Sequence, residues 1–316
     1  MATKGIVRYD TYLTNLALAY PVGNLIADKL APRVPVENFS DKIFVDADDA
    51  IMQMNDDAES VPSNKVDFAV GTPYSYRTRR RALSSVITNK EAQNAKQPVK
   101  LQQRETNKLT HRLKLKHEMR VSNVLRDTSL VTQYEDVEAI TNAQWDDSDP
   151  DVEGSILTAV KTIYDGCGAV ANTIVIPFEA ALHLANLSFV KDTLKYQYGM
   201  DIISSDFQGQ VMRLVGLPPV VKGLNVVISN GRVGAYNKGE TAAVSNPWGK
   251  DVLIGYIPSN PAVDEMFGIL TMEYDPLKIY TENQNDPDGI KILAEWDYDI
   301  LQAELKCWYL MQNVID

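Results

Sequence analysis

The sequence predicts an α+β fold: a compact unit of alternating helices and strands, a long helix, a long C-terminal hairpin, and two extensions too short to enclose cores. Three observations predict it. Helix and strand signals alternate between residues 151 and 269, the pattern of a mixed sheet with helices on its faces. From Pro98 to Arg126, Leu109, Leu113, Val121, Val124 and Leu125 recur at three- and four-residue spacing, one apolar stripe along a long helix. Near the C-terminus Ile290, Ile292, Ala294, Trp296, Tyr298 and Ile300 alternate with Lys291, Leu293, Glu295, Asp297 and Asp299, the period of a half-buried strand.

In chain order, residues 1–40 carry Tyr9, Tyr12, Leu13, Leu16, Leu18, Tyr20, Leu25, Ile26 and Leu30 in two short helical patterns broken at Pro21. Pro32 and Pro35 then enforce an extended path. So short a segment must lie across its own body or another subunit. Residues 41–90 read as a long protruding hairpin. Ile43, Phe44 and Val45 form a strand signal, Asp46, Asp48, Asp49, Asp56 and Asp57 a solvated loop, and Tyr74 to Arg79 alternate with period two. A loop of this length without a core is unusual in a compact monomer.

Pro98 suits the first turn of the long helix. The next helix starts with Asp149 as the N-cap candidate and Pro150 at the first helical position, buries Ile156, Leu157, Val160, Ile163 and Tyr164, and ends at Gly166-Cys167-Gly168. A strand over 172–177, helices over 178–187, 189–198 and 206–215, and strands over 225–228 and 252–256 complete the compact unit. The hairpin strands 278–284 and 290–300 flank the turn Asn285-Asp286-Pro287-Asp288-Gly289. Residues Leu305 to Met311 are apolar on nearly both faces, as a covered inner strand requires.

A chain of 316 residues, 45% hydrophobic and 23% charged, buries a sizeable core without metals or disulfides. No apolar run reaches the length of a membrane-spanning helix, and the start of the sequence shows no secretory signal. Cys167 and Cys307 are the only cysteines, too few for a disulfide framework, so a reducing cytoplasm is expected. A net charge of −11 argues against a protein built to grip nucleic acid, which needs clustered Lys and Arg. Between Arg77 and Arg126, however, fourteen basic residues face only Glu91, Glu105 and Glu118. That stretch fits a solvated helix face, a nucleic-acid contact, or a surface paired with acidic patches of neighbouring copies. The core-less extensions favour the third reading.

Catalytic and metal signatures are weak. His111 and His117 lie six residues apart, on different helix faces, so they do not form a chelating i, i+4 pair. Asp147, Asp149 and Asp151 alternate as in a calcium loop, but Val152 and Thr158 stand where Gly and Glu are required. Helix capping is the simpler role. Gly249-Lys250-Asp251 lacks the upstream glycine of a phosphate loop. No nucleophile elbow is present, and Cys167 has no histidine partner in sequence. Trp296, Tyr298, Trp308 and Tyr309 are expected to pack a core or an interface. The expectation is therefore a non-enzyme with no cofactor and no metal.

The order of these elements resembles the major capsid proteins of the HK97-like family of tailed bacteriophages. The most specific local matches are Thr141-Asn142-Ala143-Gln144-Trp145 with its acidic continuation to Pro150, Asn172 to Ile176, the Val215-Gly216-Leu217-Pro218-Pro219-Val220 turn, and Asn246-Pro247-Trp248-Gly249-Lys250-Asp251-Val252-Leu253. Each is weak alone; their order and spacing carry the likeness across nearly the whole chain. It implies an N-terminal arm (1–40), an E-loop (41–90), a peripheral domain (91–150 and 270–316) with a spine helix at about 98–126, and an axial domain (151–269). It also implies self-assembly, as hexamers and pentamers, into an icosahedral or prolate head around double-stranded DNA held without sequence specificity. Scaffolding, portal and decoration proteins are the implied partners, any scaffold being a separate protein or absent. The virion is the implied location, with assembly in the host bacterial cytoplasm. Tyr12, Leu16, Tyr20, Arg79, Arg80 and Arg81 are the expected inter-subunit contacts. An encapsulin-like compartment shell is the alternative, and a cytosolic enzyme the more distant rival.

Overall fold

The computed structural model describes residues 8–19, 25–43, 73–94, 98–148, 150–197, 211–212, 214–235, 243–258 and 268–316. Strand β1 (Arg8–Tyr9) leads into helix α1 (Thr11–Ala19), whose first turn is capped where the Leu13 N–H donates to the Asp10 carboxylate at 2.9 Å. Helix α2 (Ala27–Leu30) is followed by β2 (Arg33–Pro35), held extended by its prolines. Strands β3 (Ser40–Ile43) and β4 (Tyr74–Arg77) pair antiparallel, Ser40 opposite Arg77. They form the stem of the expected hairpin. Its tip lies outside the described residues, as do Phe44, Val45 and the acidic positions from Asp46 to Asp57.

Strand β5 (Arg79–Thr88) and helices α3 (Asn89–Asn94) and α4 (Pro98–Leu125) come next, then β6 (Tyr134–Asp136) and α5 (Val152–Cys167). The compact unit continues with β7 (Thr173–Pro177), α6 (Phe178–Leu184), α7 (Ser188–Gln197), β8 (Val220–Val221) and β9 (Leu224–Ser229). Strands β10 (Val233–Ala235) and β11 (Ala243–Ser245) pair with each other, and β12 (Val252–Gly255) returns to the main sheet. The long hairpin is β13 (Ile269–Asn285) and β14 (Asp288–Gln302), and β15 (Trp308–Gln312) closes the chain.

Two sheets organise the molecule. In the first the order is β1-β13-β14-β5, with β2 also on β13. Strand β13 carries two extra residues relative to β14, at the register shifts between Glu273 and Lys278. Pro276, which lacks a backbone donor, sits inside that irregular stretch. Ile292, Ala294, Trp296 and Tyr298 point to the buried face as their alternation requires, and pack with Leu13 and Ala17 of α1 and with Leu109 and Leu113 of α4. One face of the arm helix is therefore satisfied by the chain's own body.

The second sheet runs β6-β15-β12-β7-β9-β8 and is mixed, with β7–β9 parallel and β12 antiparallel to both β7 and β15. Successive residues of a strand face opposite sides, and both sides are covered here. Ile174, Ile176, Ile254 and Met311 meet Ile156, Ile163 and Leu184 of α5 and α6. Val175, Leu253 and Leu310 meet Val121 and Leu125 at the end of α4 and Ile26 and Leu30 beside it.

Several sequence-based boundaries are corrected. Residues 79–88, read as part of the protruding hairpin, are the strand beside β14, with Arg79 opposite Tyr298 and Thr88 opposite Gly289. Residues 308–312, grouped with the C-terminal hairpin, join β12 and β6 in the second sheet. Their two apolar faces need cover on both sides, which only that sheet supplies. Residues 134–145 go with them, Trp145 being buried in the compact unit's core. Helix α5 is capped by Asp151, whose carboxylate accepts from the Gly154 N–H at 2.9 Å, and not by Asp149. The first helix after β7 stops at Leu184.

Candidate functional site: arm, long helix and basic strand

Glu118 sits on the inward stripe of α4, three residues before Val121 and seven before Leu125, and is fully buried. A carboxylate there requires donors. It receives the Ile26 N–H at 3.0 Å and the Ala27 N–H at 2.6 Å, donors that the start of α2 leaves unpaired. Its other oxygen accepts the Trp248 indole N–H at 2.6 Å. One side chain thus ties arm, long helix and compact unit together. Burial raises its pKa, while the hydrogen bonds oppose that rise.

His117 is buried beside it. The Thr271 hydroxyl has one proton, given to the Ala31 carbonyl at 3.0 Å. The His117 Nε2, 3.0 Å from that hydroxyl, must therefore be its N–H donor. Asp28 lies 3.7 Å from Nδ1. Desolvation dominates and lowers the His117 pKa to about 4, so the ring is neutral. Asp28 is held bidentately by Arg33 at 3.1 and 2.7 Å, and the Arg33 guanidinium lies over Trp296 at 4.6 Å.

The turn carrying Trp248 is built for this contact. Asn246 accepts from the Trp248 N–H and from the Ser229 hydroxyl, each at 3.0 Å. At the end of α4, Arg126 donates to the buried Asp251 carboxylate at 2.6 Å and to the Pro247 carbonyl at 3.2 Å. Gly249 has a φ of +59°, and a Cβ there would lie 2.5 Å from the Arg126 guanidinium. The left-handed backbone favours glycine there, and a side chain would displace the end of Arg126 from its partners.

Of the expected contact residues, Tyr12 is 60% exposed and accepts a hydrogen bond from Gln103 on α4. Leu16 is half-buried against the chain's own hairpin core. Tyr20 lies outside the described residues. Arg79 is exposed. Arg80 pairs with Glu295 of its own chain. The Arg81 guanidinium lies 4.7 Å from the Tyr298 ring, and Arg120 donates to the Tyr298 hydroxyl at 2.6 Å. The structure brings the three arginines together on one strand but gives two of them internal partners. Further apolar surface is open at Tyr9, Leu18 and Phe39, each at least half exposed.

Sequence reasoning missed Glu118, which it counted only among the three acids opposing the basic stretch, and also Asp28 and Arg33. The one available signal was Glu118's position on the apolar stripe. The expected capping roles of the acidic loop divide: Asp147 accepts from the Gln144 N–H at 3.0 Å, Asp151 caps α5, and Asp149 lies outside the described residues. Among the described residues no three His, Cys, Asp or Glu side chains converge as a metal set. No described helix is long and apolar enough to cross a membrane.

No protein-family model and no curated protein matches the chain. Solved structures do match it. A phage-related protein from Bordetella bronchiseptica RB50 is 19% identical with a TM-score of 0.71, covering 98% of each chain. The capsid of the cyanophage P-SCSP1u is 12% identical with a TM-score of 0.58, over 91% of this chain and 87% of that one. The encapsulin of Synechococcus elongatus PCC 7942 is 13% identical with a TM-score of 0.50, over 100% and 94%. These likenesses cover from 91% to 100% of the chain, and the chain has the HK97-like capsid fold.

Proposed function

We propose that this chain is the major capsid protein of a tailed bacteriophage. Many copies, as pentamers and hexamers, would build an icosahedral or prolate head around double-stranded DNA. The observation that carries this reading is the likeness to a phage-related protein over 98% of each chain and to a cyanophage capsid over 91% of this one. Closed shells place one subunit in many symmetry-related contacts. The open aromatic surface of Tyr9, Tyr12 and Phe39 is suited to such contacts, and Arg79 is the basic residue of its strand best placed to meet acidic surface on a neighbour. An overall charge of −11 fits a container that confines DNA better than a protein that grips it. Scaffolding, portal and decoration proteins are the expected partners, the host bacterial cytoplasm the expected site of assembly, and the virion the destination.

An encapsulin-like shell around an enzyme cargo is the second reading, and it rests on the likeness to the Synechococcus protein. Electron microscopy of the full chain, expressed with and without its genomic neighbours, tests both. Closed shells holding nuclease-resistant DNA support the phage head. Shells holding a cargo protein and no DNA support the alternative. A discrete small oligomer at high concentration overturns both.

A further inference from the structure

The chain's two cysteines are 140 residues apart in sequence, yet the fold brings them together. Cys167 is the last residue of α5, and Cys307 ends the short helical turn that leads into β15. The short turn that carries Cys307 packs directly on α5. Both pack in one apolar cluster, where Cys307 is fully buried and Cys167 half-buried. The residues just before the two cysteines lie close together, since a Cβ on Gly166 would lie 3.6 Å from the Lys306 Cβ. The Cys167 thiol also donates to the Ile163 carbonyl at 3.3 Å.

We propose that Cys167 and Cys307 form a dithiol redox site, which a small-molecule disulfide such as oxidised glutathione converts to an intrachain disulfide tying the end of α5 to the start of β15. In the first step the Cys167 thiol loses its proton and attacks one sulfur of the oxidant. This forms a mixed disulfide and releases one glutathione. The Cys307 thiol then loses its proton and displaces the second glutathione from Cys167. Two protein thiols are oxidised and one glutathione disulfide is reduced to two thiols. Burial pushes the Cys307 thiol up, which makes the second step slow, because the thiolate is the nucleophile. This inference does not depend on the shell reading.

The test is to incubate the folded full-length chain with oxidised glutathione, then quench, denature and map its peptides by mass spectrometry. The expected product is a Cys167–Cys307 disulfide within one chain, with the mass lower by two hydrogens. Its melting temperature should rise by on the order of 5 °C and fall back on reduction. The Cys307→Ser variant should instead stop at a single glutathione adduct on Cys167. Two free thiols after prolonged oxidation, a persistent adduct on the unmutated chain, or crosslinks between chains would overturn the proposal. The unmutated protein decides the matter even if the variant fails to fold.

Discussion

Trp248 and Glu118 are 130 residues apart in sequence and are joined by a 2.6 Å hydrogen bond from indole to carboxylate. Because the same carboxylate caps the start of α2, this contact couples the arm to the junction of the two sheets. Glu118→Ala leaves three buried N–H groups without an acceptor, at a cost of about 3 kcal/mol or more. Glu118→Gln, which keeps one acceptor, should cost about 1–2 kcal/mol. Urea unfolding measures the loss. Limited proteolysis should show faster cleavage around α2, and an arm as protected as in the unmutated chain would remove Glu118 from this role.

His117 makes stability depend on pH. The fold favours its neutral form, holding its pKa near about 4 against an ordinary 6.5. Its contribution is therefore fully present above pH 6.5 and is lost as pH falls towards 4. At 1.36 kcal/mol per unit the loss is about 3 kcal/mol. Unfolding at pH 7 and at pH 4.5 should show a smaller difference in His117→Gln than in the unmutated chain. Comparing the two proteins isolates His117 from Glu118, whose raised pKa gives a slope of opposite sign. Equal pH slopes in the two proteins count against it.

Gly255 is a packing requirement. A Cβ there would lie 2.4 Å from the ring of Trp308, a fully buried side chain with nowhere to move. Gly255→Ala should destabilise the compact unit by about 1–3 kcal/mol through overpacking, read as a lower urea midpoint with an unchanged slope.

Neighbouring arm residues should separate folding from assembly. Leu13 is 2% exposed against the hairpin, whereas Tyr12 is 60% exposed. Leu13→Ala should loosen the arm at a cost of about 2–5 kcal/mol. Tyr12→Ala should leave subunit stability within about 0.5 kcal/mol while reducing the yield of shells seen by electron microscopy. Unchanged shell yield would remove Tyr12 from the contact set.

The basic strand divides in the same way. Arg79→Glu alters an exposed side chain and should spare the fold, within about 0.5 kcal/mol, while misdirecting assembly. Arg81→Glu removes a guanidinium from the Tyr298 ring and should cost about 1 kcal/mol in the isolated subunit. Normal particles from Arg79→Glu count against charge pairing between copies.

Periodic elements were the legible part. The stripe from Leu109 to Leu125 and the alternation from Ile292 to Tyr298 placed α4 and β14 closely, because each reports its burial through nearest neighbours on one face. The capping of α5 was misplaced by two residues, from Asp149 to Asp151, since acidic residues two apart are equally good caps in sequence. The polar cluster around Glu118 was unreadable: its donors come from Ile26, Ala27 and Trp248, and only folding makes them neighbours.

The amino-acid order alone determined the long helix α4, the hairpin strand β14, most helices and strands of the compact unit, and where the basic charge gathers. These follow from local periodicity and composition, which need no knowledge of distant residues. Tertiary structure decided which sheet β5 and β15 join, which arginines already have partners, that a carboxylate can be buried at residue 118, and that Cys167 and Cys307 share one apolar cluster. Each of those depends on pairing and desolvation between residues far apart in the chain, and a linear pattern carries no record of them.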